Sequence, residues 1–170
     1  MATTPHTTDL IGSDRFELHP DDEAEILREK QHYEQPQAAC IEALKIVQRR
    51  HGWVPDGAIS AIGRLLGLGF ASVEGVATFY SLIFRQPVGR HVILVCDSSS
   101  CFLDGYETLK QALVEQLGAD YGATTADGRF TLLPVCCLGA CDGAPALMID
   151  GETFGPVTPE DLPDLLEGYQ

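Results

Sequence analysis

The sequence predicts an α+β fold in two parts, an N-terminal helical bundle followed by a small α/β domain. Three observations carry this expectation. From Pro20 to Ile83 apolar residues recur at helical intervals. From His91 onward the pattern switches to short β-branched runs separated by one long helical stripe. Both main runs end in cysteine, so five of the six cysteines fall in two tight clusters, CDSSSC (96–101) and CCLGAC (136–141).

The chain has 170 residues, 45% hydrophobic and 21% charged, which places it among soluble globular proteins with one sizeable domain or two small ones. No apolar run approaches the roughly 18 residues needed to span a bilayer, and the N-terminus matches neither a secretory signal nor a transit peptide. A cytoplasmic location is expected. A net charge of −14 opposes nucleic acid and anionic membrane surfaces, so neither is expected as a partner.

Residues 1–15 are Thr-rich and aperiodic, and are expected to form a mobile tail. Pro20 with Asp21, Asp22 and Glu23 opens a first helix to about Tyr33, its acidic first turn favoured by the helix dipole. Pro36 starts a second, where Cys40, Ile41, Leu44 and Val47 form an apolar stripe and Gly52 is the stop. Cys40 therefore reads as a core residue. Ile59, Ile62, Leu65 and Leu66 mark a third helix, ending near Gly67 or Gly69. A fourth is expected from Ser72, with Val73, Val76, Tyr80 and Ile83 on one packed face. Together they make a bundle over residues 16–85, with RQPVGR as the boundary to a domain over 86–170.

HVILV (91–95) reads as a buried strand that delivers Cys96 at its C-terminal end. Residues 104–117 carry Tyr106, Leu109, Leu113 and Leu117 on one helical stripe, with Gly118 as C-cap. RFTLLPV (129–135) is a second strand, again ending in cysteines. ALMI, Asp150-Gly151 and ETFGPV read as a hairpin, and Thr158-Pro159 opens a final helix. The order strand, helix, three strands, helix fits a thioredoxin-like α/β domain.

Two short cysteine pairs on two loops supply four thiolates, the donor set of a 2Fe-2S cluster with two sulfurs on each iron. The same count would satisfy a structural zinc site, but such sites favour shorter C-x2-C knuckles, which tilts the reading towards iron and sulfur. A thiol-disulfide oxidoreductase needs C-x-x-C, which is absent. Small neighbours (Ser98, Ser99, Ser100, Gly139, Ala140) let backbone N–H groups approach the sulfurs. Spacing leaves one choice open: Cys136 with Cys141 repeats the separation of Cys96 with Cys101, so either Cys136 or Cys137 fits. On extended chain the two point to opposite faces, so one alone reaches a metal. The five histidines are scattered, and no glycine-rich phosphate loop follows a strand, so NADH and flavin are not expected to bind this chain by itself.

With these motifs placed, the sequence resembles the thioredoxin-like 2Fe-2S subunit of the NADH-dehydrogenase module of respiratory complex I (the 24 kDa subunit family). EALKIVQRRHGWVPDGAI, VEGVATFYSLIFRQPVGRHVI, the CDSSSC loop and DGRFTLLPVCCLGACDGAPALMID carry the resemblance in the family's order. It implies one 2Fe-2S cluster on Cys96, Cys101, Cys137 and Cys141, with Cys136 aside and no catalytic residue on this chain. It further implies an electron-transfer role within NADH:quinone oxidoreductase, exchanging single electrons with the FMN of a partner that binds NADH. The resemblance also implies a larger iron-sulfur subunit beside them and a complex that holds the chain peripherally on the cytoplasmic side of a bacterial inner membrane. Similar subunits serve NAD-linked hydrogenases and formate dehydrogenases, and a four-cysteine zinc interaction module is the alternative of a different class.

Overall fold

A computed structural model describes residues 16–170, in two compact units that meet between Pro87 and Val88. The tail expected over residues 1–15 lies outside the described residues.

The first unit holds α1 (Pro20–Lys30), α2 (Cys40–His51), α3 (Asp56–Leu66) and α4 (Phe70–Phe79), with a 3-10 turn at Pro36–Ala39 leading into α2. α1 stops at Lys30 instead of Tyr33, because its last turn tightens to i→i−3 hydrogen bonds from Gln31, His32 and Tyr33. Gly52 ends α2 in the left-handed region (φ 79°), and its N–H reaches the Gln48 carbonyl at 2.7 Å. Ile26, Cys40, Leu44, Val47, Ile59, Ile62, Leu66 and Val73 form the shared core. Burial also raises the Cys40 thiol pKa, which keeps it protonated and inert. Asp22, itself buried, accepts two hydrogen bonds from Arg50 and fastens α1 to α2. Arg85 bonds Glu74, Asp56 and the Val54 carbonyl, gathering the ends of α3 and α4.

α4 departs from expectation. It ends at Phe79, so Tyr80 is its cap and Ile83 enters the core from the following turn, where its N–H bonds the Tyr80 carbonyl at 2.9 Å. Phe70, Phe79 and Tyr80 do not pack: they are 47%, 80% and 44% exposed. Among the described residues no single helix is long and apolar enough to cross a membrane; α3 and α4 reach that length only together, with a 119° bend between them.

The second unit contains β1 (His91–Cys96), α5 (Ser99–Leu103), α6 (Tyr106–Leu117), β2 (Phe130–Val135), β3 (Leu147–Ile149), β4 (Glu152–Phe154) and α7 (Leu162–Glu167). The sheet order is β2-β1-β3-β4. β1 is central, parallel to β2 and antiparallel to β3, which explains why its run is apolar on both faces. Ile93, Val95, Phe130, Leu132, Leu147 and Ile149 share a core with Leu109 and Leu113 of α6 and Leu162 of α7. Asp150 (φ 50°) and Gly151 (φ 94°) both take the positive φ that a tight two-residue hairpin turn requires. Thr158 and Asp161 close the start of the last helical segment, with the Thr158 N–H and hydroxyl both donating to the Asp161 carboxylate at 2.8 Å.

Candidate metal centre

The parallel pairing of β1 and β2 places the two cysteine clusters at one end of the sheet. Cys96 lies opposite Val135 in register, so the chain leaves both strands at the same end. The Asp97 N–H reaches the Val135 carbonyl at 3.0 Å, extending the ladder one step into the first loop. The remainder of that loop folds as α5, which carries Cys101. Gly105 (φ 113°) separates α5 from α6, so α6 starts at Tyr106 and not at residue 104.

The thiols of Cys96, Cys101, Cys137 and Cys141 lie near enough to shift one another's ionisation: Cys96 acts on Cys101 and Cys137, and Cys141 on Cys137 and Cys101. The first pair is buried, at 2% and 1% exposure, whereas Cys137 and Cys141 are exposed. Cys136 is also exposed, and its carbonyl accepts from the Cys96 thiol at 4.0 Å.

The electrostatics divide the group. The Cys137 thiol is held below its ordinary pKa, first by the Gly139 N–H (3.4 Å to Sγ), then by Cys141, the Ser98 hydroxyl and Cys96. Cys141 is pushed up because Cys137 is the better anion beside it, with the Ser100 hydroxyl opposing. Burial raises Cys101, offset in part by the Ala146 N–H, and Cys96 and Cys141 raise it further.

In the sequence Ser98 and Ser100 stand out only as small. From the first loop the Ser98 hydroxyl lowers the pKa of Cys137, and that of Ser100 lowers the pKa of Cys141. Ala146 carries no sequence signal at all, yet its carbonyl accepts from the Cys96 N–H at 3.1 Å while its N–H faces Cys101.

Among the described residues no three His, Cys, Asp or Glu side chains converge as ligands of a single ion. A two-iron cluster makes a different demand, since it takes its thiolates two to an iron, and the sequence supplies its donors as one pair on each of two loops. Soft sulfur donors surrounded by N–H and O–H groups suit that cofactor.

Comparison with known proteins agrees with this chemistry. Residues 26–170 match the profile of the thioredoxin-like 2Fe-2S ferredoxin family. The chain is 60% identical over 162 residues to a subunit of NADH-quinone oxidoreductase from Pseudomonas aeruginosa, covering 95% of this chain and 98% of that protein. It is 57% identical over 165 residues to the identically named protein of Escherichia coli K12, covering 97% of this chain and 99% of that one. In fold it is similar to a chain of an NAD+-reducing NiFe-hydrogenase, with a TM-score of 0.62 at 24% identity, across 79% of this chain and 22% of the longer one.

Proposed function

We propose, from the premise that this chain belongs to the thioredoxin-like 2Fe-2S ferredoxin family, that it is the electron-transfer subunit of an NADH-quinone oxidoreductase and carries one 2Fe-2S cluster. It is a subunit of an NADH dehydrogenase, with no complete active site of its own. The observation that carries this reading is 60% identity, essentially end to end, with a subunit of that enzyme.

In this reading Cys96, Cys101, Cys137 and Cys141 hold the cluster and Cys136 stands aside. The grouping of those four sulfurs at one end of the sheet supports the assignment. When bound, a 2Fe-2S centre takes up and releases one electron at a time. The chain's own residues set the conditions for that exchange. The Gly139 N–H donates to the Cys137 sulfur, and the Ala146 N–H and the Ser98 and Ser100 hydroxyls also lower the pKa of the thiols they face, so all four favour added negative charge. The acidic surface opposes it. Burial of Cys96 and Cys101 excludes water from one pair, while exposure of Cys137 and Cys141 leaves the other open to a partner.

The partners in this reading are the subunit that binds NADH and FMN, and a larger iron-sulfur subunit. Phe102 and Leu103, next to Cys101, are 56% and 83% exposed and offer apolar surface beside the site. The helical unit over residues 16–85 serves as scaffold against the flavin subunit. The complex itself holds the chain on the cytoplasmic face of the membrane, without a segment of its own inserted.

Purified full-length protein tests the reading. Red-brown protein with iron and a reduced-state EPR signal is expected, whereas colourless protein with one zinc per chain would end it. Co-purification with quinone-reductase subunits, rather than hydrogenase or formate dehydrogenase subunits, identifies the complex.

A further inference from the structure

Two glycines behind the site face each other at close range. Gly143 closes the 3-10 turn Cys141–Gly143, and Gly155 follows β4. A Cβ built on Gly155 would be driven into the Gly143 carbonyl oxygen, while lying 3.1 Å from the Gly143 carbonyl carbon and 3.3 Å from the Ala146 Cβ. Conversely, a Cβ on Gly143 would lie 3.1 Å from both C and O of Gly155 and 3.4 Å from the Pro156 nitrogen. Neither glycine has positive φ, so space and not backbone freedom requires glycine at both positions.

The two neighbours of Gly155 lead to both cysteine pairs. Gly143 belongs to the turn that begins at Cys141, and its N–H bonds the Ala140 carbonyl at 3.1 Å. Ala146 bonds the Cys96 N–H and faces the Cys101 sulfur. Gly155 therefore touches the supports of Cys141 on one side and of Cys96 and Cys101 on the other.

Of these parts, the Gly155 segment is the better anchored. On its N-terminal side Phe154 pairs with Leu147 in the sheet, and on its C-terminal side the Val157 N–H bonds the Pro145 carbonyl at 2.9 Å. The Cys141 turn is exposed and lies outside the sheet. Added bulk at this contact is relieved by movement of the turn, and Cys141 moves with it.

We infer that Gly155, with Gly143 opposite, is a positioning residue that sets the separation of Cys141 from Cys96 and Cys101. The inference rests on the reading that these cysteines hold the cluster.

The test uses full-length protein loaded with cluster, as wild type, Gly143→Ala, Gly155→Ala and Gly151→Ala. The last is a control, since Gly151 has positive φ but open space around it, so alanine there strains the hairpin without touching the site. Reduced-state EPR, redox titration, cluster release to a chelator and circular dichroism are measured on each. Gly143→Ala is expected to keep its cluster with altered EPR g-values and a shifted potential. Gly155→Ala is expected to release cluster about tenfold faster, and Gly151→Ala to lose stability with a wild-type spectrum. Folded Gly143→Ala and Gly155→Ala with wild-type EPR, potential and release rate would overturn the inference, as would equal changes in Gly151→Ala. If Gly155→Ala does not fold, Gly143→Ala decides. Wild-type protein that takes up no cluster sinks the functional reading itself, a result distinct from loaded but indifferent variants.

Discussion

Asp22→Asn removes one charge from the junction of α1 and α2 while preserving shape. Asp22 is 5% exposed, and its carboxylate accepts from Arg50 Nε at 2.6 Å and Nη2 at 2.7 Å. Each hydrogen bond to a charged group contributes about 1.5–3 kcal/mol. The amide retains one acceptor oxygen and presents N–H groups to the other guanidinium donor. Arg50, 39% exposed at its side chain, regains water and limits the damage. A net loss of about 2–3 kcal/mol follows, a large share of ordinary domain stability. The pH dependence has a definite sign. The Arg50 hydrogen bond holds the Asp22 carboxyl below its usual range, against the opposing effect of burial. A depressed folded pKa contributes stability that is complete above the unfolded carboxylate value of about 4 and is lost as pH falls through the folded value. Urea unfolding of wild type and variant at neutral and acid pH measures this directly. The gap between them should be full at neutral pH and shrink progressively below about pH 4. A gap that is constant with pH, or below about 0.5 kcal/mol at neutrality, would refute the ion-pair argument.

Other consequences are as direct. Cys137→Ser should abolish the wild-type 2Fe-2S EPR signal while Cys136→Ser keeps it, and the reverse outcome rejects the ligand assignment. Leu132→Ala, at a position with no exposure on β2, should cost about 3 kcal/mol in urea unfolding; a loss below about 1 kcal/mol would mean the core collapses around the missing atoms. Gly52→Ala places a Cβ in the left-handed region at φ 79° with open space around it, so only backbone strain of about 1 kcal/mol is expected, read as a lower melting temperature with unchanged EPR.

The elements most legible in the sequence are those with local signals. HVILV and its cysteine, the Asp150-Gly151 turn, and the Gly52 and Gly118 stops each stand where a few adjacent residues dictate backbone geometry. α5 leaves no such signal, because five residues of helix show no periodicity. Periodicity extends α4 too far because Ile83, on a helical interval from Val73 and Val76, is buried by a turn instead of by the helix. Periodicity records which residues are buried, and it does not reveal how the backbone brings them there.

The sequence by itself determined the strands, the tight turns, the longer helices apart from the end of α4, and the two groups of cysteines, because each depends on spacing along a few residues of chain. Tertiary structure decided how those groups face one another. The two clusters share one end of the sheet only because β1 and β2 pair in parallel across the intervening helices α5 and α6. Within the group, the sulfur of Cys137 and the carbonyl of Cys136 are what the fold turns towards Cys96. The Gly143 and Gly155 contact belongs to the same class, since both are glycine for lack of space and the space is filled by chain distant in sequence. Excluded volume between remote segments leaves no periodic trace in the segments themselves, which is why folding had to reveal it.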